Sequence, residues 1–492
     1  MTRDTKVVIV GAGFGGIAAA IELQRHGFSD LTILDAAPGI GGTWLRNTYP
    51  GAACDVPSHL YSFSFAQRRN WTRLCSPQPE ILAYLREVAR EYGVDRLVRP
   101  DTTVTACTWD DAGTSTGERW SVTTGDGETI EADVVVIATG QLSQPAIPAL
   151  PGLPTFTGHA FHSARWDHDH DLRGRRVAVV GTGASAVQFV PEVAPQVERL
   201  VVFQRTANWF LQRKNRAYPA WIRWANRSVP GLQAWRRLFM FLYCESLTAM
   251  IRYPRTVGRL GHLRAASFMR VQLRDPQLRR KVWPDYTFGC KRVLFSSYFL
   301  PALQRRNVDL VKDPIVRVTP TGIVTADGTG TETEHAVDTI IWGTGFRASE
   351  FMFPMKVTGA AGASLADVWA GGAHAHLGMT VPGFPSMFVM YGPNTNTSGG
   401  SIIGYLEAQA AYIRQALQHV RARGAAAIDV RPEVEARSDR EVQAAFAGTA
   451  WTRCDSWYRV ESGRVVANWP RFMSQYLEAT ARLDPAEYEF LG

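Results

Sequence analysis

Two stretches of this chain share one plan: an aliphatic run, a turn rich in glycine, and an apolar helical run. The first is Lys6-Val-Val-Ile-Val10 followed by Gly11-x-Gly13-x-x-Gly16 and an Ala-rich segment reaching about His26. The second is Arg-Arg-Val-Ala-Val-Val followed by Gly181-Thr182-Gly183-Ala184-Ser185-Ala186. A strand that turns at once into a helix needs glycine in the turn. Without a Cβ the backbone also comes close to a pyrophosphate, which rests on the exposed N–H groups and positive dipole end of the helix. A further strand pattern, Leu-Thr-Ile-Leu, ends at Asp35 and completes strand, turn, helix and strand. That context, more than the glycines alone, marks a dinucleotide site. Two such units predict an α/β fold with two Rossmann-like dinucleotide-binding domains, and 492 residues are enough for both and for further segments.

The two units differ where they touch the ribose. In the first, an acid, Asp35, stands 24 residues after Gly11, where a carboxylate binds ribose hydroxyls. In the second, the same offset from Gly181 falls on Arg205, in Val-Val-Phe-Gln-Arg-Thr206, and there is no acid. A guanidinium suits a 2′-phosphate, so the second site favours NADP over NAD. Each unit also closes alike. Val134–Ile137 runs into Ala138-Thr139-Gly140, and Asp-Thr-Ile-Ile-Trp runs into Gly343-Thr344-Gly345. Gly140 is expected to approach the first cofactor.

Charged residues make up 20% of the chain and hydrophobic ones 46%, the balance of a soluble globular protein, and no apolar run is long enough to span a bilayer. The chain enters its first strand with no signal-peptide pattern ahead of it, and a cytoplasmic location is expected. Six cysteines, at 54, 75, 107, 244, 290 and 454, form no CxxC pair and no metal-like cluster. They are expected to be reduced, no metal site is expected, and disulfide-reductase chemistry is excluded.

The net charge of +8 is local. Residues 213–281 hold 16 Lys and Arg against Glu245 and Asp275, a net of +14, and leave −6 for the rest. Prolines 219, 230, 254, 276 and 284 are expected to cut this Trp- and Arg-rich segment into short helical pieces. It reads as a helical insert that roofs the active site, as weak contact with an anionic membrane surface, or as a solvated cationic face. No nucleic-acid motif accompanies the charge, and no nucleic-acid partner is expected.

Between the two units lies Phe156-x-Gly158-x-x-x-His162-x-x-x-Trp166-Asp167. This stretch resembles the fingerprint of the Baeyer–Villiger monooxygenases, flavoproteins that insert one oxygen atom beside a ketone carbonyl. Further segments resemble the same family. Gly41-Gly42-Thr43-Trp44, Tyr49-Pro50-Gly51-Ala52, Cys54-Asp55 and Tyr61-Ser62 are similar to its flavin-contacting region. Phe288-Gly289-Cys290-Lys291-Arg292 is similar to its Lys-Arg pair, Tyr391-Gly392-Pro393-Asn394 to its return into the FAD domain, and Trp457 to a tryptophan on the nicotinamide side.

The resemblance implies FAD on the first unit, contacted by Gly11, Gly13, Gly16, Asp35, Gly42, Thr43, Trp44, Asp55, Tyr61, Gly140 and Asn394. It implies NADPH on the second, contacted by Gly181, Gly183, Ser185, Arg205, Thr206, Lys291 and Trp457. Gly158, His162, Trp166 and Asp167 become domain-coupling residues. The implied division is an FAD domain at 1–145 and 385–492, a linker and NADP domain at 146–212 and 286–384, and the insert at 213–285. The implied chemistry is capture of dioxygen by reduced flavin as a C4a-peroxide, with Arg292, held by Asp55, as the catalytic cation. Ketone and dioxygen are then the substrates, and an ester or lactone the product. An arginine cannot give up its proton and so favours an unprotonated nucleophile, which argues for ketones. The alternatives are a flavin monooxygenase of nitrogen or sulfur atoms, which lacks the His162-to-Asp167 pattern in this form, and a non-catalytic dinucleotide-binding protein.

Overall fold

In the computed structural model, which describes residues 4–113, 119–213, 215–397 and 399–492, Val7–Val10 is the central strand of a five-stranded parallel sheet. Its neighbours are Leu31–Leu34, then Val98–Arg99, on one side, and Val134–Ile137, then Met387–Val389, on the other. Strands covered on both faces read as unbroken aliphatic runs, and all four residues of Val7–Val10 are buried. Val7 and Ile9 face a layer in which helix Phe14–Arg25 packs on the long helix Ile402–Arg423. Val8 and Val10 face an antiparallel layer that includes Val104–Trp109 and Trp120–Thr124 and brings in Trp109 and Trp120.

The second unit repeats these three layers. Its parallel sheet runs in the order Val308–Val311, Arg199–Phe203, Arg176–Val180, Thr339–Trp342 and His159–His162. Helix Ala184–Val193 covers one face. The antiparallel strands Ile315–Thr319, Gly322–Ala326 and Glu332–Ala336 cover the other, with Val318 and Ile323 against Ala178, Val180 and Phe203.

Three expectations need correction. The return to the first unit comes earlier than residue 385. Lys356–Thr358 already pairs with Val104–Trp109, and Met352, Val357, Leu365, Val381 and Phe384 share a core with Val8 and Val10. The pairing joins segments some 250 residues apart, which local pattern does not reveal. The insert is not cut into short pieces. Its helices are Ala220–Ser228, Leu232–Arg252, Val257–Gln272 and Pro276–Val282, two of them 21 and 16 residues long. The prolines do stand at the breaks, but nothing between Pro230 and Pro254 stops a helix. Lys214, one of the sixteen bases of the segment, lies outside the described residues, as does Ser398. Finally, the cysteines are not all free. Cys290 and Cys454 form a disulfide, and Cys54, Cys75, Cys107 and Cys244 are free and buried. The two partners are 164 positions apart, and only the tertiary fold brings their Cα atoms to 6.1 Å.

Helix Gln78–Glu91 belongs to the first unit, as does the long helix Ile402–Arg423, which Gly424 ends at φ 64°. Among the described residues no helix is long and apolar enough to cross a membrane.

Candidate active site

The C-terminal ends of the strands in both parallel sheets open onto one cavity of about 2200 Å³. It runs from Gly11, Asp35 and Gly42, past Asp55 and Arg292, to Gly181, Arg205 and Lys291. Ligands of open α/β sheets bind at these edges.

At the first end the wall is bare backbone. Gly11 has φ 114°, and a Cβ on it would lie 2.5 Å from the Ala138 carbonyl oxygen. Gly42 has φ 53°, and a Cβ there would lie 2.9 Å from the Gly13 Cα. Helix Phe14–Arg25 starts at Gly13 with no capping side chain, so its first N–H groups are free for a ligand. Asp35 is buried and fixed: its Oδ2 accepts the Ala12 N–H and its Oδ1 the Ala37 N–H, each at 2.7 Å. Gly16 does not line the cavity. A Cβ there would sit 1.8 Å from the Gly11 carbonyl oxygen, so this glycine lets the helix pack on its strand. Thr43, Trp44, Tyr61 and Gly140 all line the cavity, and the Trp44 Nε1–H donates to the Tyr61 hydroxyl at 3.1 Å. Three cavity residues also hold buried polar atoms with no partner among the described residues, Gln141 Oε1, Arg213 Nε and Ser456 Oγ. A glycine-walled channel with an uncapped helix, a fixed carboxylate and unspent polar atoms fits FAD.

At the second end the plan recurs. Gly181 has φ 108°, and a Cβ on it would lie 2.4 Å from the Gly343 carbonyl oxygen. Helix Ala184–Val193 starts at Gly183, again with no capping side chain. Ser185, Arg205, Thr206 and Lys291 line this end. Burial, and then the charge of Arg205, hold the Lys291 ammonium below its ordinary pKa. Two cations that repel each other at the ribose end of a nucleotide site fit the 2′-phosphate of NADP, whose charge offsets both.

Between the ends, Arg292 Nη2 donates to Asp55 Oδ2 at 2.6 Å across 237 positions of sequence. Burial opposes ionisation of Asp55, but the charge and hydrogen bond of Arg292, with the charge of Arg213, outweigh it and bring its pKa below the ordinary value. Arg292 is raised in turn, above all by the charge of Asp55. Both partners are held from behind. Cys54 N–H donates to Ser76 O at 3.2 Å, and Arg213 Nη2 donates to Cys54 O at 2.6 Å. On the other side, Phe210–Leu211 pairs with Leu294–Phe295 just beyond Arg292, and Cys290 is tied to Cys454 just before it. The hydroxyls of Tyr391 and Tyr458 feel the Arg292 charge, and burial pushes the Tyr458 phenol up to about 12. Sequence reasoning did not single out Arg213, Gln141, Tyr391 or Tyr458 as site residues. Arg213 is one of many bases in the segment it begins, and Tyr458 directly follows Trp457, with no pattern of its own.

The linker residues do not line the cavity. Gly158 is a packing glycine, whose Cβ would meet the Asp338 carbonyl oxygen at 2.5 Å. His162 is buried on an edge strand beside Trp342, its Nδ1 accepts the Ala164 N–H at 3.1 Å, and its ring meets the edge of Phe346. Burial, aided by Arg165, lowers its pKa to about 4 against the opposing backbone of Gly345. Asp167 bonds His159 at 2.9 Å. Trp166 packs on Phe161 and Phe189, and Phe189 meets Tyr49 of the first unit. Nearby, Tyr49 and Thr48 bond Gln188 and His168 of the second unit at 3.1 and 2.8 Å. Asn394 does not reach the cavity either. It turns at φ 55°, and its Nδ2 donates to Val465 O and Asn468 O, while Asn396 and Thr397 line the wall. Trp457 lines the cavity and is 42% exposed.

A pyridine nucleotide-disulphide oxidoreductase family model matches residues 8–228. Among curated relatives, a Baeyer-Villiger monooxygenase of Streptomyces coelicolor is 42% identical over 99% of this chain and 93% of its own length. One of Pseudomonas aeruginosa is 40% identical over 99% and 91%. Among solved structures, an oxidized steroid monooxygenase bound to NADP is similar at a TM-score of 0.87 and 30% identity, over 99% of this chain and 100% of that one. The closed crystal structure of cyclohexanone monooxygenase is similar at 0.87 and 29%, over 100% and 99%.

Proposed function

The chain belongs to the Baeyer–Villiger monooxygenases, and on that membership we propose the work of its individual residues. It is an FAD- and NADPH-dependent monooxygenase that places one atom of dioxygen beside a ketone carbonyl, giving an ester or lactone. Bound FAD supplies the redox chemistry, taking hydride from NADPH and passing electrons to dioxygen. Gly11, Gly13, Asp35, Gly42, Thr43, Trp44, Tyr61 and Gly140 would hold FAD, with Gly16 shaping the turn. Gly181, Gly183, Ser185, Arg205, Thr206 and Lys291 would hold the nicotinamide dinucleotide, with Trp457 against its nicotinamide side. Trp166, through Phe189 and Tyr49, couples the two halves, and Gly158, His162 and Asp167 shape the linker that carries it.

Arg292 is the catalytic cation. Negative charge builds on the ketone oxygen as the inserted oxygen bonds to the carbonyl carbon. A guanidinium already in place stabilises that charge without reorganising. Asp55 fixes its fork and keeps it in the cavity. The observation that carries this reading is the 2.6 Å pair between the two nucleotide ends. Losing such a preorganised charge donor costs about 3–4 kcal/mol, or roughly two to three powers of ten in rate. Arg292→Ala is therefore expected to purify with normal flavin content and to oxidise NADPH with release of hydrogen peroxide, yet to form almost no ester. Asp55→Ala should show the same defect more mildly. Ester formation by Arg292→Ala at near wild-type rate would overturn the assignment.

We further propose that the enzyme works in the cytoplasm, in weak contact with an anionic membrane surface. On helix Leu232–Arg252 the residues Trp235, Leu238, Phe239 and Leu242 form one exposed apolar row, with Trp235 and Phe239 each 72% exposed. Trp221 and Trp224 lie exposed on Ala220–Ser228 beside Arg223 and Arg227, and Leu260, Leu263 and Val271 on Val257–Gln272 beside Arg264. Apolar rows flanked by arginine suit a headgroup layer, whereas a second copy of this face would set like charge against like charge. The holoenzyme is expected to sediment with phosphatidylglycerol vesicles and not with phosphatidylcholine vesicles. Replacing both Arg223 and Arg227 by Glu should weaken this at least 30-fold, at about 1 kcal/mol per lost charge. Equal binding of that variant, or a dimer that Trp235→Glu dissolves, would rule the membrane out.

A further inference from the structure

The Cys290–Cys454 bond stands beside the reacting groups, yet nothing in oxygen insertion uses a thiol. Cys290 immediately precedes Lys291 and Arg292, and Cys454 immediately precedes Asp455, Ser456 and Trp457, all of which line the cavity. The bond thus ties two walls of the site together at the point where they carry its cations. Lys291 feels the charge of Asp455 across the same junction. The Arg292 loop is confined from the other side too: a Cβ on Gly289, at φ 84°, would lie 2.7 Å from the Ile251 side chain. The partner segment keeps its own core of Phe446, Trp451, Tyr458, Val465 and Ile251. Opening the bond therefore loosens the junction without removing what folds either side.

We propose that Cys290–Cys454 is a reversible thiol–disulfide site that positions Lys291 and Arg292, closed in the coupled enzyme and opened by a dithiol reductant. The proposal rests on the reading of Arg292 as the catalytic cation. Cys290 is fully buried and Cys454 half-buried, so the reductant's thiolate attacks the Cys454 sulfur. The S–S bond breaks, and Cys290 leaves as a thiolate and takes up a proton. Its neighbours Lys291 and Arg292 ease that departure, because nearby cations stabilise a thiolate. The second thiol of the reductant then displaces Cys454, so that two electrons and two protons have passed to the pair and the reductant leaves as its own disulfide. Closure by one hydrogen peroxide reverses the transfer: two thiols become one disulfide, with release of two waters. A bond of this kind in a cytosolic protein is more often a redox-responsive site than a permanent brace.

The test uses the full-length holoenzyme. Alkylation under denaturing conditions, read by mass spectrometry, is expected to label four cysteines after mild peroxide treatment and six after dithiothreitol. Displacement of reacting groups by about an ångström costs up to roughly 100-fold in rate. Dithiothreitol is therefore expected to lower ester formed per NADPH by about 10-fold or more, with flavin content unchanged and peroxide release increased. Cys454→Ser should reproduce the loss, and the double Cys290→Ser, Cys454→Ser enzyme should no longer respond to dithiothreitol. Six labelled cysteines after peroxide treatment would overturn the proposal. So would unchanged coupling on reduction accompanied only by a lower melting temperature, which is the mark of a purely structural bond. If Arg292→Ala is active while reduction still uncouples, the Arg292 assignment falls and the tether stands on the other cavity groups.

Discussion

Replacing His162 by Asn is expected to flatten the dependence of stability on acid. The ring is 3% exposed, and burial lowers its pKa from 6.5 to about 4. A group whose folded pKa is depressed gives stability that is complete above its unfolded value and is lost as the pH falls toward the folded value. Between about pH 6.5 and pH 4 the unfolded chain takes a proton that the native ring refuses. At 1.36 kcal/mol per unit, the full loss is about 3 kcal/mol, and about 2 kcal/mol is gone by pH 5. Asparagine does not titrate, and its Oδ1 is able to accept the Ala164 N–H that His162 Nδ1 accepts now. His59, also lowered to about 4 by burial, remains in both proteins and cancels in the comparison. Melting temperatures of the two holoenzymes, followed by flavin fluorescence from about pH 7 to pH 5, supply the test. The wild type should fall more steeply by the equivalent of about 2 kcal/mol. Parallel curves would show that this ring is as easily protonated in the fold as outside it, and the argument from burial would fail.

Arg205→Ala should raise the Michaelis constant for NADPH about 10- to 100-fold, the worth of one or two charged hydrogen bonds, and leave that for NADH almost unchanged. Equal use of both coenzymes by the wild type would refute the reading of Arg205 and Lys291. Gly42→Val should purify with little flavin, because its Cβ would press on the Gly13 Cα at 2.9 Å from a backbone with φ 53°. Normal flavin content in that variant would place the cofactor elsewhere. His162→Ala should keep its flavin and lose rate or coupling; unchanged turnover would make His162 a packing residue only.

The α/β class, the two nucleotide units and the preference for a phosphorylated ribose were legible without coordinates. Each depends on local order: strand, glycine turn and helix are consecutive, and Asp35 and Arg205 stand at the same offset from their first glycines. The assignment of Arg292 and Asp55 to one site came from resemblance, because 237 positions separate them and no periodicity links them. Asn394 shows the limit of such transfer: its motif was recognised, but the fold spends its side chain on Val465 and Asn468.

What the sequence by itself determined, then, is every feature whose partners are neighbours along the chain. Steric and hydrogen-bonding rules for turns and helices act over a few residues. The tertiary structure decided which distant segments meet: Lys356–Thr358 against Val104–Trp109, Arg213 behind Asp55, and Cys290 against Cys454. It also decided that the outer faces of the insert stay uncovered, since an apolar residue on a helix is core or surface only according to what packs on it. Loop closure over hundreds of residues leaves almost no local mark, because its entropic cost rises only as the logarithm of length and is met by burial at the far end.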